Sequence, residues 1–126
     1  MPLARIDVPA GNTPDYRATI GAVVYDAMIE TLKVPKDDRF QIIAEHAPGG
    51  LVIDPTYLGI QRSAQCIIIQ LTLNEGRSVE VKKAFYVAVA EGLHARLAIR
   101  KEDVFINLVE VKKENWSFGN GEAQYA

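Results

Sequence analysis

The chain repeats itself at an offset of 65 residues, and a duplication of that kind leaves few folds open. VPKDDRFQIIAEH from Val34 aligns with IRKEDVFINLVEV from Ile99. Lys36 falls on Lys101, Asp38 on Asp103, Phe40 on Phe105, Glu45 on Glu110, and Gly11 on Gly76. Ahead of each stretch lies a segment with apolar residues at helical spacing. In the first these are Tyr16, Ile20, Val23, Val24, Ala27, Met28 and Leu32. In the second they are Val81, Ala84, Phe85, Ala88, Val89, Leu93 and Leu97. Thr13 and Ser78, again 65 residues apart, suit the N-cap of each helix, and Pro14 suits the first helical position. The apolar runs LARIDV and FQIIAEH flank the first helix; QCIIIQLTL and VFINLVEV flank the second. Two strand–helix–strand copies follow, and the helix crossing between the strands of each copy makes that pair parallel.

The fold class expected is therefore α+β: duplicated β-α-β units forming a mainly four-stranded sheet with two helices on one face. The chain, 1–126, reads as a single domain with pseudo-repeats at about 2–53 and 64–112. Between them APGGLVIDPTYLGIQR reads as a loop with a short strand around Leu51–Ile53. The tail, 113–126, has a Gly119–Gly121 turn between aromatic residues and reads as a small hairpin. CIIIQL and VFINLV are apolar on both sides, and strands of that kind expect cover on both faces. No segment remains to form a second helical layer, so oligomerisation is expected.

Several function classes are excluded. A net charge of −2 gives nucleic acid nothing to bind. No apolar run approaches the ~20 residues of a membrane span, and the amino-terminal stretch lacks a signal peptide's pattern. Cys66, the single cysteine, lies in an apolar run and reads as buried and inert. It and two histidines show no short ligand spacing, so no metal is expected, and the chain reads as cytoplasmic.

Pro2 directly follows the initiator methionine. It can open a strand, where a missing N–H does no harm. If Met1 is removed, it instead carries a free secondary amine, and burial in a dry pocket lowers the pKa of such a group. A neutral amine can act as a general base or form an iminium; a protonated one can polarise a carbonyl.

With these residues in place the chain resembles the tautomerase superfamily, which includes 4-oxalocrotonate tautomerase and macrophage migration inhibitory factor. More narrowly it resembles the malonate semialdehyde decarboxylase group. The matching stretches are Pro2, VPKDDRFQ followed by EH and PG, Leu58–Ser63, GRSVEVKKAFY from Gly76, and Trp116–Gly121. They span nearly the whole chain in order. The resemblance implies a homotrimer, no cofactor or metal, an active site at the amino-terminal proline, and a small carboxylate-bearing oxo-acid as substrate. Proton transfer in keto–enol tautomerisation is the leading activity. Decarboxylation of malonate semialdehyde or a similar 3-oxo acid is the alternative, and a non-catalytic trimeric binding protein is a third.

By this resemblance Pro2, Asp38 and Arg77 are the catalytic residues, and Arg77, Trp116 and Phe118 contact the substrate. Arg77 precedes the N-cap candidate of the second helix, where free N–H groups and the helix dipole favour a carboxylate. A solvated arginine is the plainer reading. Asp38 matches the family aspartate, although its mate Asp103 suggests turn chemistry, and Asp37 competes for the same role. Trp116 and Phe118, with Tyr125 as a further candidate, would form an apolar wall, or simply pack the tail. His46 and Arg62 match family positions without an assigned role, and His94 reads as surface. The group carries two arginines before the second helix, whereas LTLNEGRS has only Arg77, with Asn74 or Glu75 at the other position. The lost cation bears most heavily on decarboxylation.

Overall fold

A computed structural model describes residues 2–126. The main elements are β1 (Leu3–Pro9), α1 (Pro14–Leu32), β2 (Phe40–His46), β3 (Ile67–Asn74), α2 (Val79–Leu97) and β4 (Val104–Val111). They form one four-stranded sheet in the order β2-β1-β3-β4. β1 and β2 are parallel, as are β3 and β4, and the two copies join antiparallel through β1 and β3. The expected fold class holds, and the register of each copy follows its sequence pattern.

The duplication extends to single interactions. Thr13 accepts a hydrogen bond from the Tyr16 N–H at 3.1 Å, and Ser78 accepts one from the Val81 N–H at 3.2 Å. Both helices end on a residue in the left-handed region, Lys33 at φ 58° and Ala98 at φ 55°. Arg17 pairs with Glu45 at 2.9 Å, and Lys82 pairs with Glu110 at 2.9 Å. The hydrogen bond from Lys82 holds the Glu110 carboxyl below its ordinary value, helped by its charge, the Gly76 backbone and the Arg77 charge.

The core lies between the helices and one sheet face. Ala4, Ile6 and Val8 of β1 meet Ile67, Ile69, Leu71 and Leu73 of β3, under Ile20, Val24, Met28, Phe85, Val89 and Leu93 of the helices. The alternation along β1 and β3 sends every second side chain to this face, which is why a period of two suffices there. Cys66 is buried as its sequence context suggested, and burial pushes its thiol pKa up. The helices approach closely at Gly92, where a Cβ would stand 2.8 Å from Val23 Cγ1. The opposite sheet face carries Phe40, Ile42, Phe105 and Val109, all more than a third exposed. No described helix is long and apolar enough to cross a membrane.

Three expectations are corrected. The tail has the Gly119–Gly121 turn but no strand pair; it runs through a single helical turn at Lys113–Asn115 instead. The Gln124 side chain closes the turn, accepting from the Phe118 N–H at 2.9 Å and donating to the Gly119 carbonyl at 2.8 Å. A side-chain clamp therefore replaces the hairpin ladder. No strand forms at Leu51–Ile53, so the first repeat's regular structure ends at His46. Ala84 faces outward, since α2 buries a narrower stripe than its apolar spacing suggests.

Candidate functional site

The topology gives the sheet two poles. One gathers the starts of β1 and β2, the ends of β3 and β4, the end of α1 and the start of α2. Pro2, Asp38, Arg77, Trp116 and Phe118 all belong to this pole, although they are spread along the whole sequence. The other pole holds the loop 47–66.

Pro2 is buried and immediately precedes β1. Leu3 pairs with Phe40 on one side and Thr72 on the other, so one further step of register sets Pro2 beside Leu73. The proline thus sits at the middle of the sheet's end rather than at an edge. Met1, whose removal the amine chemistry requires, lies outside the described residues.

Asp38 and Asp37, adjacent in sequence, occupy different environments. Asp37 is exposed in the left-handed region at φ 68°, and its N–H donates to the Tyr25 hydroxyl at 2.9 Å. Turn chemistry belongs to that residue. Asp38 is only 7% exposed. Burial pushes its carboxyl above the ordinary value, against the pull of the positive charge at the chain's amino terminus. Its mate Asp103 is equally buried but is bound to a loop residue. Its Oδ1 accepts from the Ser63 N–H at 2.7 Å and its Oδ2 from the Ser63 hydroxyl at 2.6 Å. The same repeat position pins a loop in one copy and lies buried just ahead of β2 in the other.

Arg77 does not lie free in solvent. Its Nε and Nη2 donate to the Leu32 carbonyl at 3.3 and 3.1 Å, and its Nη1 donates to the Asn74 carbonyl at 3.3 Å. Two cations meet the carboxyl end of α1: the C-cap Lys33 Nζ donates to the Glu30 carbonyl at 2.9 Å, and Arg77 donates to that of Leu32. A guanidinium has five N–H donors, so this anchoring fixes its plane while leaving donors over for an anion. Sequence reasoning missed the Arg77 cap, and no local signal pointed to it, because Arg77 and Leu32 are 45 residues apart.

The aromatic tail closes this pole. Trp116 stacks on Phe118 with centroids 5.4 Å apart, and Phe118 meets Tyr125 edge-on at 5.0 Å. The Trp116 Nε1–H donates to Asn74 Oδ1 at 2.7 Å. A cavity of about 420 Å³ opens beside them, lined by Asn74, Glu75, Val111, Lys112, Lys113, Glu114, Tyr125 and Ala126.

The larger cavity, about 520 Å³, lies at the other pole, among His46, Leu51, Ile53, Arg62 and Cys66. Two of its polar side chains also tie the fold together. His46 Nε2 lies 2.6 Å from Asp7 Oδ1, and Arg62 Nη1 donates to the carbonyls of Asp54, Tyr57 and Ile60 at 3.0 to 3.4 Å. Both histidine and arginine serve as structural ties here, so size alone does not mark this cavity as the site of chemistry. His94 is exposed, with Nδ1 3.2 Å from the Ile99 carbonyl. Among the described residues no cluster of three or more His, Cys, Asp or Glu could hold a metal ion.

Two family models, both described as tautomerase enzyme, match residues 2–61 and 38–119. The chain is 40% identical over 124 residues to probable tautomerase YusQ of Bacillus subtilis (strain 168), covering 98% of each chain. It is 34% identical to probable tautomerase YrdN of the same organism, covering 99% of this chain and 96% of that one. Among solved structures it is similar to a malonate semialdehyde decarboxylase inhibited by 3-bromopropiolate, at 38% identity and a TM-score of 0.91, covering 98% and 93% of the two chains. A fused 4-OT wild type symmetric trimer, at 22% identity and a TM-score of 0.80 over 98% and 97% of the two chains, shares the fold. With a duplicated strand–helix–strand sheet, a proline at its central pole and relatives matched along nearly their whole length, the chain belongs to the tautomerase family.

Proposed function

We propose that this chain, trimmed of Met1, uses the Pro2 amine to move a proton on a small oxo-acid, interconverting enol and keto forms. The observation that carries the reading is the convergence of buried Pro2, buried Asp38, anchored Arg77 and the Trp116–Phe118 stack at one pole of the sheet. Removal of Met1 puts the terminal positive charge on the Pro2 nitrogen. Burial lowers the pKa of that amine, while the Asp38 carboxylate opposes the change. The neutral amine takes the proton of the enol hydroxyl as the carbonyl forms. The prolinium then returns a proton to the carbon that the enol double bond leaves electron-rich, so atoms and charge balance over the cycle. The donors of Arg77 not used on Leu32 and Asn74 hold the substrate carboxylate, and the aromatic stack keeps water from the reacting carbons.

Assembly as a homotrimer completes the pocket. Support comes from the apolar side chains left on the outer sheet face and from exposed Val52, Leu58 and Ile60 in the loop, which a single chain leaves in water.

Decarboxylation is the second reading, favoured by the similarity to malonate semialdehyde decarboxylase. There a protonated Pro2 would polarise the aldehyde oxygen while the bond to the carboxylate breaks and carbon dioxide leaves. The single arginine before α2 weighs against it. Turnover of an enol without gas release supports proton transfer, whereas carbon dioxide from malonate semialdehyde supports the lyase. An intact mass that retains Met1 would reject both and favour a non-catalytic binding protein.

A further inference from the structure

We propose that the cavity at the pole opposite Pro2 is a second binding site, which takes a small monocarboxylate with a short apolar body and performs no chemistry on it. The cavity measures about 520 Å³, and none of the described residues lining it is an Asp or Glu. Pro9, Leu51, Ile53 and Pro55 give it apolar walls, and Arg62 gives it a fixed positive charge. The length of β1, about 20 Å at the rise of a strand, separates it from Pro2.

Arg62 is placed to receive an anion. Its Nη1 alone makes the contacts that tie the loop, to the carbonyls of Asp54, Tyr57 and Ile60. A guanidinium is planar, so these contacts fix its plane and leave the edge formed by Nε and Nη2. That edge presents two parallel N–H donors at the spacing of a carboxylate's oxygens. Burial is the main cause of the raised Cys66 thiol pKa, Asp103 adds to it, and the Arg62 charge opposes both. The guanidinium and the thiol therefore lie near each other on the cavity lining. Asp7 and Asp103, which reach the lining through His46 and Ser63, do not cancel the Arg62 charge, because both are already matched. Asp7 is held by His46 Nε2 at 2.6 Å and Arg5 Nε at 3.7 Å. Asp103 is held by Ser63 and by Arg100 Nη1 at 3.5 Å. Leu51 and Ile53 line the cavity, whereas Val52 between them is 89% exposed. The loop thus walls the cavity with one face and leaves the other for a second subunit. One guanidinium suits one carboxylate, and the apolar walls suit a short hydrocarbon.

Butyrate is the probe, and butanamide is its uncharged counterpart of the same shape. Each is titrated into isotope-labelled protein at neutral pH and constant ionic strength, with backbone amides followed by NMR. The amides of Leu51, Ile53, Arg62 and Cys66 are expected to shift saturably with butyrate, and butanamide to bind at least about tenfold more weakly. Leu51→Glu sets a carboxylate inside the cavity. Arg62→Lys keeps a charge but removes the two-donor edge. Each variant, first checked for the parent's circular dichroism and sedimentation, is expected to weaken butyrate at these amides at least about tenfold. Any shifts that butyrate causes at Arg77 and Ser78 stay as in the parent. If Arg62→Lys disturbs the loop, Leu51→Glu decides alone. Shifts confined to Arg77 and Ser78, shifts that never saturate, equal binding of butanamide, or parent-like binding by Leu51→Glu each overturn the proposal. Pro2→Ala is expected to bind butyrate here as the parent does, so the result is independent of whether the amine is catalytic.

Discussion

Asp38 shows how far one residue's setting departs from what its neighbours in sequence suggest. VPKDDRF offers two adjacent aspartates, and only the fold assigns the turn to Asp37 and burial to Asp38. The raised pKa has a definite sign. The folded chain binds the Asp38 proton more tightly than the unfolded chain does. Its contribution to stability is therefore fully present below the unfolded value of about 3.9 and is lost as pH rises through the raised folded value. Asp38→Asn is thus expected to raise the thermal midpoint at neutral pH, with the gain vanishing toward pH 3, while turnover falls. Melting curves of both proteins across that range check it; a gain that persists at pH 3 would reject the assignment. Arg77 is a parallel case. Its place before Ser78 was legible in the chain, but its bond to Leu32, 45 residues away, depends on α1 ending at the same pole.

At the scale of elements, the duplication made the helices and strands readable, because the same pattern stands twice in one chain and each copy supports the other. The offset that aligns Thr13 with Ser78 also aligns Lys33 with Ala98, the left-handed residues that stop the helices. The tail had no matching copy to support it. Its glycines and aromatics are compatible with a strand ladder, and the Gln124 clamp that replaces it is a side-chain contact without periodicity. Gly92 was equally silent, since a glycine inside an apolar helical pattern says nothing about what faces it. The close approach of Val23 implies that Gly92→Ala destabilises the chain by about 1 kcal/mol, despite the better intrinsic helix propensity of alanine, which favours it by a similar amount. Denaturant unfolding measures this, and a stabilised variant would show that the helices can part at little cost.

For the whole molecule, the outer sheet face is the unfinished part. Phe40, Ile42, Phe105 and Val109 are 38 to 48% exposed, mixed with Arg5, Gln70 and Asn107. The sequence signalled this face through strands apolar on both sides, and the need for cover follows from the cost of leaving such a surface in water. Phe105→Glu places a charge on it and is expected to shift sedimentation from trimer to monomer, while the monomer keeps its helical circular dichroism. A variant that sediments as the parent does would move the subunit contact elsewhere. The convergence of residues 2, 38, 77 and 116 at one pole was not readable from spacing, because it arises from strand order β2-β1-β3-β4, which brings the start of one copy against the end of the next. Resemblance named those residues; topology supplies the physical reason that they share a pole.

The most direct test of the amine-centred site is the rate of enol-to-keto conversion of phenylpyruvate by chain verified by mass to begin at Pro2, compared with Pro2→Ala trimmed in the same way. Loss of a positioned proton-transfer group predicts a fall in kcat/KM of at least about 100-fold with the trimer intact. A variant within a few-fold of the parent would contradict a catalytic role for the proline nitrogen.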